Sequence, residues 1–322
     1  MTHKRVLITG ATGILGKALI DTRPEGLDIY LTFLRELPHA LSQYSTARLD
    51  VGSEEQVAKV FEWADPEVVI HLAGMGNVDF AERNQSLAYA INVEGTQNVI
   101  NACRRHASKL IFLSSNAVFC GECPPYNEDS SCRPVNYYGR LKVIAEDMVK
   151  RSGLDHVIMR AIMMYGWHYP QSRANPVTSW LDSLTEFRPI KVVSDRYSQP
   201  LLATDCALAI WETLNSGKCG IYHIAGPDRL SLYEFALCVA EIFELKKSLI
   251  EPVPSVYFPD LAPRPVDTSF LISKIKAELQ FQPRGVREGL IFMRSIRKPV
   301  ENICNGHRHL KSIKNGQGAK EA

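Results

Sequence analysis

Gly10-Ala11-Thr12-Gly13-Ile14-Leu15-Gly16 sets the fold class of this chain. Its glycines are spaced three apart. They follow a short apolar, β-branched run (residues 5–9) and open a helix-forming run (residues 15–21) that stops before Pro24. A glycine at the end of a strand permits a tight turn, the second lets backbone approach a pyrophosphate, and the third lets helix and sheet pack closely. The helix N-terminus adds unpaired N–H groups and the positive end of the dipole. Gly10, Thr12, Gly13, Ile14, Leu15 and Gly16 are therefore expected to bind a dinucleotide.

Outward from this turn, strands and helices alternate. A second strand is predicted at residues 27–34 and a brief third at 47–49. Ser53 is expected to cap a helix reaching Ala64 in capping-box fashion. A fourth strand follows at 67–72, a long helix at about 86–106, and a fifth strand at 109–113. After a loop rich in Pro, Cys and Asp (121–134) come a helix at about 137–151 and a sixth strand at 156–160. Such alternation implies an α/β, Rossmann-type doubly wound parallel sheet covered on both faces. Beyond Gly166 the alternation loosens and Pro recurs at 170, 176, 189 and 200, which suggests a smaller C-terminal substrate-binding lobe. We expect an NADP-binding Rossmann domain at 1–165 that also receives 190–225, a smaller lobe at 166–300 and a polar, flexible tail at 305–322.

Composition narrows the function classes. The 322 residues are 45% apolar and 22% charged, with 37 basic against 35 acidic side chains and a net charge of +2. That balance argues against nucleic acid as the partner. Apolar runs are too short for a membrane span or a signal-peptide core, so a cytoplasmic location with reduced cysteines is expected. Cys120 and Cys123 form a C-x-x-C with Cys132 nearby, but a tetrahedral zinc site needs four ligands and none completes the set. They are read as loop thiols, and no metal is expected. His307-Arg308-His309 is read as solvated tail, and Trp180 and Trp211 as packing residues.

Which nicotinamide cofactor fits depends on the end of the second strand. An acid there would bind the ribose hydroxyls of NAD. The chain instead reads Thr32-Phe33-Leu34-Arg35, and Arg35 can pair with a 2′-phosphate, so NADP(H) is favoured over NAD. Asp50 and Val51 are placed against the adenine, and Leu72, Ala73 and Gly74 along the cofactor.

Tyr138-Gly139-Arg140-Leu141-Lys142 sets a phenol and an ammonium four residues apart, on one helix face. A tyrosine titrating near 10 exchanges protons poorly at neutral pH unless a cation stabilises its anion, the part expected of Lys142. Ser115, after the fifth strand, could hydrogen-bond the same substrate oxygen. Ser115, Tyr138 and Lys142 are the expected catalytic set, with Tyr138 and Lys142 also touching cofactor.

With the glycine turn, this set resembles the extended short-chain dehydrogenase/reductase family over residues 4 to 295. Within it the chain is similar to the dTDP-4-dehydrorhamnose reductases and related sugar-nucleotide reductases. The similar stretches include Val68-Val69-Ile70-His71-Leu72-Ala73-Gly74, Asn77-Val78-Asp79, Ser114-Ser115-Asn116-Ala117-Val118-Phe119 and Arg264-Pro265-Val266-Asp267-Thr268-Ser269. The resemblance implies NADPH-dependent reduction of a nucleotide-linked 4-keto-6-deoxy sugar bound between the lobes, with Asn77, Asn116, Met163 and Arg264 as substrate contacts. Arg264 is the candidate for the diphosphate. It also implies room for a homodimer.

Two departures matter. The family's Thr-Asp after the fifth strand is Ser115-Asn116 here, which keeps the hydroxyl. Its tryptophan over the sugar is replaced by Met163, which alters sugar packing. A dehydratase would need further acid–base groups where Asn116 and Ala117 stand. A sugar-nucleotide epimerase, and a non-catalytic NADP-binding regulatory subunit like that of methionine adenosyltransferase, remain the alternatives.

Overall fold

The computed structural model describes residues 4–259 and 261–296. The expected tail at 305–322 and His307-Arg308-His309 lie outside the described residues.

The chain runs β1 (Lys4–Thr9), α1 (Ile14–Asp21), β2 (Leu27–Phe33), β3 (Ser45–Arg48), α2 (Glu54–Ala64) and β4 (Val68–His71). It continues through α3 (Val78–Arg83), α4 (Gln85–Tyr89), α5 (Gly95–Arg105), β5 (Lys109–Ser115), α6 (Tyr137–Lys150) and β6 (His156–Ala161). Then follow β7 (Met164–Tyr165), α7 (Pro176–Thr185), β8 (Ile190–Val193), β9 (Tyr197–Ser198), β10 (Leu201–Leu202), α8 (Ala203–Asn215) and β11 (Gly220–Ile224). The last elements are β12 (Leu230–Ser231), α9 (Leu232–Ile242), β13 (Ile250–Val253), α10 (Ser273–Leu279) and α11 (Val286–Ser295).

Seven strands form one parallel sheet in the order β11-β6-β5-β4-β1-β2-β3. Its strands are almost wholly apolar because both faces are covered. Alternate residues feed separate cores: Val6, Ile8, Ile70, Ile111 and Met159 pack under α1 and α8, while Leu7, Val69, Leu110, Phe112 and Ile158 pack under α2, α5 and α6. Each such fully buried aliphatic contributes about 1.5–3 kcal/mol. Strand order reverses between β1 and β4, so the crevice at their carboxyl ends is where such a sheet receives a ligand.

Local structure departs from expectation in two places. The helix predicted at 86–106 is interrupted by a π-helical turn at Ala90–Glu94. Asn92 is responsible: its Nδ2 donates to the Ala88 carbonyl (3.1 Å) while its Oδ1 accepts from the Met75 N–H (3.0 Å). A side chain inserted in the backbone ladder is a usual cause of such a bulge. The capping box at α2 is half formed. Ser53 Oγ accepts from Gln56 N–H, but the Gln56 side chain turns back to the Asp50 N–H (2.9 Å).

A separate core of Tyr165, Val177, Leu181, Phe235, Val239 and Leu290 lies between α7, α9 and α11, in the stretch expected to form a smaller lobe. Full capping boxes start α7 (Asn175 with Thr178) and α9 (Ser231 with Glu234). β8 and β13 pair in parallel beside it. Trp180 packs edge-on against Phe235, and Trp211 is buried in the large core beneath the sheet.

Candidate active site

The three glycines of the first turn differ in what requires them. Gly10 has φ +67°, and a Cβ there would lie 2.8 Å from Ala73 N. At Gly16 a Cβ would lie 2.3 Å from the Ala11 carbonyl oxygen. At Gly13 the nearest protein atom is 3.6 Å away, an ordinary contact. Protein packing therefore demands Gly10 and Gly16 but leaves the space over Gly13 open. Gly13 N-caps α1 and, lacking a side chain, leaves the first N–H groups of the helix without a cap hydrogen bond of its own. A pyrophosphate fits both observations. Thr32 also holds the turn, its Oγ1 accepting from the Gly10 N–H and its carbonyl from the Ala11 N–H.

On the adenosine side, Arg35 is exposed just past β2, with Glu36 next to it in the chain. Arg48 stands in register with Phe33 and donates from Nε to the Leu34 carbonyl (3.0 Å). The sequence reading had not singled out this second guanidinium. Asp50 spends Oδ1 on the Gly52 N–H (3.0 Å). Val51 is buried against Gly95 and Val99, so its side chain faces the core under α5.

Leu72 and Ala73 are fixed by Thr9, whose Oγ1 accepts from both of their N–H groups (3.2 Å each). The Thr9 proton is thereby left for His71 Nδ1 (2.8 Å). His71 must then donate from Nε2 to Thr96 Oγ1 (3.3 Å), which passes its own proton to the Asn92 carbonyl (2.7 Å). Burial, helped by the Lys142 charge, pushes the His71 pKa down to about 3, so this chain stays neutral.

Ser115 ends β5, and Tyr138 and Lys142 lie one turn apart on α6. Gly139 lets them meet: a Cβ there would lie 2.2 Å from the Ala117 carbonyl oxygen, so α6 can rest directly on the turn Asn116–Val118. Asn136 caps α6, accepting from the Gly139 N–H (2.8 Å). Ser115 Oγ donates to Asn116 Oδ1 (3.3 Å) and accepts from the Ala117 N–H (3.2 Å), and its hydroxyl favours the Tyr138 phenolate. Lys142 is buried, with Nζ on the Leu113 carbonyl (2.8 Å) and 5.9 Å from the centre of the Tyr138 ring. Burial lowers its pKa to about 8, against the pull of Glu146.

The expected lowering of the Tyr138 pKa by Lys142 is not what this structure contains. Burial holds the phenol above its ordinary value, and the opposing influences are the Ser115 hydrogen bond and the charge of Arg173. One of the three N–H groups of the Lys142 ammonium is engaged with the Leu113 carbonyl. Sequence reasoning missed Gly139 and Arg173, and only the glycine inside Tyr138-x-x-x-Lys142 gave a signal.

The four expected substrate residues are placed unequally. Asn116 faces the smaller lobe, its Nδ2 donating to Thr268 Oγ1 (2.6 Å). Asn77 caps α3 through its Oδ1. Met163 packs against the smaller lobe's core. Arg264 makes a two-pronged pair with Asp79 (2.8 and 2.7 Å), and the guanidinium holds the Asp79 carboxyl below its usual range. Asn136 Nδ2 donates to the Pro263 carbonyl (2.9 Å), so residues 262–268 are tied across the site.

The loop after β5 is closed by Tyr126, whose hydroxyl accepts from the Gly121 and Cys123 N–H groups. Cys132 Sγ lies 3.2 Å from Arg160 Nη2, and Cys120, Cys123 and Cys132 are free thiols. Among the described residues there is no metal-ligating cluster, and no helix is long and apolar enough to cross a membrane.

Residues 4–295 match the family described as RmlD substrate binding domain. The chain belongs to that family. This RmlD-type chain is 30% identical to methionine adenosyltransferase 2 subunit beta of Xenopus laevis over 263 residues, covering 78% of this chain and 75% of that one. It is 27% identical to the dTDP-4-dehydrorhamnose reductase of Aggregatibacter actinomycetemcomitans, over 89% of this chain and 97% of the other. Among solved structures it is similar to the dTDP-4-dehydrorhamnose reductase of Bacillus anthracis in complex with NADP. That likeness has a TM-score of 0.81 and 30% identity, over 91% of this chain and 99% of the other. Fold and family thus agree with the resemblance to extended short-chain reductases read from the sequence, and relate the chain to NADP-dependent sugar-nucleotide reductases.

Proposed function

We propose that this protein is an NADPH-dependent reductase of a nucleotide-linked 4-keto-6-deoxy sugar. The observation that carries the reading is the convergence of Ser115, Tyr138 and Lys142 on the carboxyl ends of the strands beside the glycine turn. The turn Gly10–Gly16 and the N-terminus of α1 receive the pyrophosphate, with Thr12, Ile14 and Leu15 beside it. Arg35, joined by Arg48, suits a 2′-phosphate, and Leu72, Ala73 and Gly74 line the nicotinamide half. Bound there, the cofactor supplies hydride to the ketone.

The chain's own residues manage the oxygen. Ser115 orients the carbonyl, and the Tyr138 O–H bond breaks as the alkoxide takes its proton. Cationic side chains then hold the phenolate, and positioned proton transfer of this kind contributes about 10²–10⁴ in rate. Asn116, Met163 and Arg264 border the sugar nucleotide where the smaller lobe meets the sheet, and Asn77 stands at the cap of α3 beside them.

A second reading follows from the similarity to the methionine adenosyltransferase subunit: an NADP-binding regulatory subunit without turnover. One experiment separates the two. The purified protein is titrated with NADPH and NADH, and loss of NADPH absorbance is followed on adding a panel of 4-keto sugar nucleotides. Preferential NADPH binding with substrate-dependent oxidation is expected. Tight binding without turnover, together with a stable complex with a synthetase subunit, would replace the reductase by the regulatory reading.

A further inference from the structure

Between β7 and α7 the chain takes residues 167–175 across the mouth of the cofactor crevice. Both ends of this strap are built in. Tyr169 is buried in the core beneath the sheet, with Lys17 Nζ of α1 5.5 Å from its ring centre. At the other end Asn175 caps α7 while its Nδ2 donates to the Gly166 carbonyl (2.8 Å).

In its middle, two consecutive residues reach opposite banks. Ser172 Oγ donates to the Thr12 carbonyl, inside the glycine turn after β1. Arg173 Nη1 donates to the Gly76 carbonyl (3.4 Å), in the loop after β4. These two strand ends flank the point where the sheet order reverses. The backbone of Arg173 is therefore pinned at one bank while its guanidinium rests on the other, so the side chain crosses the crevice. Gly13, the residue after Thr12, is the glycine of the turn with open space over it.

A dinucleotide brings a charged diphosphate to that space, and the glycine turn answers it with backbone N–H groups alone. Other cations around the crevice are committed. Lys17 is paired with Asp21 (2.6 Å) and Arg264 with Asp79 (2.7 Å), while Lys142 is buried with Nζ on the Leu113 carbonyl (2.8 Å). Arg173 is exposed and has no ion pair among the described residues. One of its N–H groups is engaged, in a long bond to a neutral carbonyl, and the rest of the fork is available. A guanidinium matches two phosphate oxygens at once, which a carbonyl cannot offer it.

We propose that Arg173 is a clasp for the cofactor: carried over the crevice by the strap, its guanidinium exchanges the Gly76 carbonyl for the diphosphate of the bound dinucleotide. The long bond to Gly76 is the resting place of a fork that gains a better acceptor when the anion arrives. Arg173 thereby supplies from above the charge that the glycine turn lacks below. This contact concerns cofactor binding and takes no part in hydride or proton transfer. It therefore holds whether the protein turns over a sugar nucleotide or binds NADP(H) as a regulatory subunit.

The test is equilibrium binding and needs no turnover. Three ligands are titrated into wild type, Arg173→Ala and Arg173→Lys: NADPH, 2′-phospho-ADP-ribose and adenosine 2′-monophosphate. The second keeps the diphosphate without the nicotinamide, and the third has neither. Arg173→Ala is expected to weaken NADPH and 2′-phospho-ADP-ribose equally, by about tenfold, and to leave adenosine 2′-monophosphate unchanged. Arg173→Lys should recover most of that loss because the charge survives, and added salt should narrow the gap between wild type and Arg173→Ala. Equal melting temperatures without ligand serve as the control on folding. An unchanged Kd for NADPH in Arg173→Ala overturns the proposal. So does a loss confined to NADPH, which would put Arg173 on the nicotinamide half. A loss shared by adenosine 2′-monophosphate overturns it as well, since the effect would then lie away from the diphosphate.

Discussion

The site has two walls held by different means. The wall formed by the ends of β1, β4 and β5 is fixed by backbone and by neutral hydrogen bonds: glycines with no room for a Cβ, and the Thr9–His71–Thr96–Asn92 chain. The wall formed by residues 167–175 and 262–268 is fixed by side chains reaching across long sequence separations. Examples are Arg264 to Asp79, Asn116 to Thr268, Asn136 to Pro263 and Ser172 to Thr12. The first wall is a property of the sheet and should be rigid. The second is attached by part-exposed contacts, each worth little alone, so it is the one that can adapt to a substrate.

The largest effect expected is on chemistry at the first wall. Tyr138→Phe should cut turnover by about 10³-fold, roughly 4 kcal/mol of transition-state stabilisation, and leave NADPH affinity unchanged in a binding titration. Turnover that survives would remove Tyr138 as the proton donor and with it the assignment of the first wall as the chemical one.

Next comes the support beneath that wall. Arg160 and Glu146 are both buried and paired through Nε and Nη2 (2.9 and 2.7 Å), with Ser114 Oγ on the same carboxylate (2.5 Å). Removing one partner of a buried pair typically costs about 3–5 kcal/mol. Arg160→Met should fall at the lower end, about 3 kcal/mol by urea unfolding, because Ser114 and Lys150 still meet the carboxylate. A loss below about 1 kcal/mol would mean that the pair is no more than an exposed bridge in effect.

How much of this was legible in the sequence divides along the same line. The glycine turn, the strand alternation and Ser115, Tyr138 and Lys142 were readable because each depends on local spacing: one turn, one strand end, one helix face. The π-helical turn was not, since it comes from Asn92 reaching a carbonyl four residues back as well as a distant backbone amide. The strap was read as loosened chain because its order comes from Tyr169, Ser172, Arg173 and Asn175 meeting partners up to 160 residues away. Arg264 was legible as a charged residue near the lobes' junction, while its commitment to Asp79 was not. Gly139 sat in plain view within Tyr138-x-x-x-Lys142, but only the closeness of the Ala117 carbonyl gives it a reason.

Acid should separate the walls by a smaller margin. Burial holds both His71 and His223 at a pKa of about 3, against about 6.5 in an unfolded chain. Depressed folded values mean that the stability is fully present above about pH 6.5 and drains away as pH falls toward 3. Each histidine should contribute a loss of about 2 kcal/mol by pH 5, read from denaturant midpoints. His71→Asn should flatten that slope. The second wall's Asp79 and Asp267 carboxyls are held below their ordinary range, so their loss of charge comes at lower pH than the charging of the histidines. An unchanged slope in His71→Asn would take the first wall's acid sensitivity away from this network.

The smallest effect is the most informative about the second wall. Asp79→Asn removes the charge from a pair that is part exposed, its side chains 20% and 32% accessible, so solvent screening should limit the stability loss to about 1 kcal/mol or less. Asp79 also accepts from the Ala262 N–H, and so fixes both the guanidinium and the backbone that carries it. With that carboxylate gone, residues 262–268 keep their ties to Asn116, Asn136, Arg196, Tyr197 and Arg229. Substrate KM is expected to rise about fivefold while NADPH affinity stays fixed, because the glycine turn does not depend on the Asp79–Arg264 pair. A fall in KM would reverse the interpretation. It would mean that Asp79 withholds Arg264 from the substrate's diphosphate, and that the second wall must release its own ion pair before it can close on a ligand.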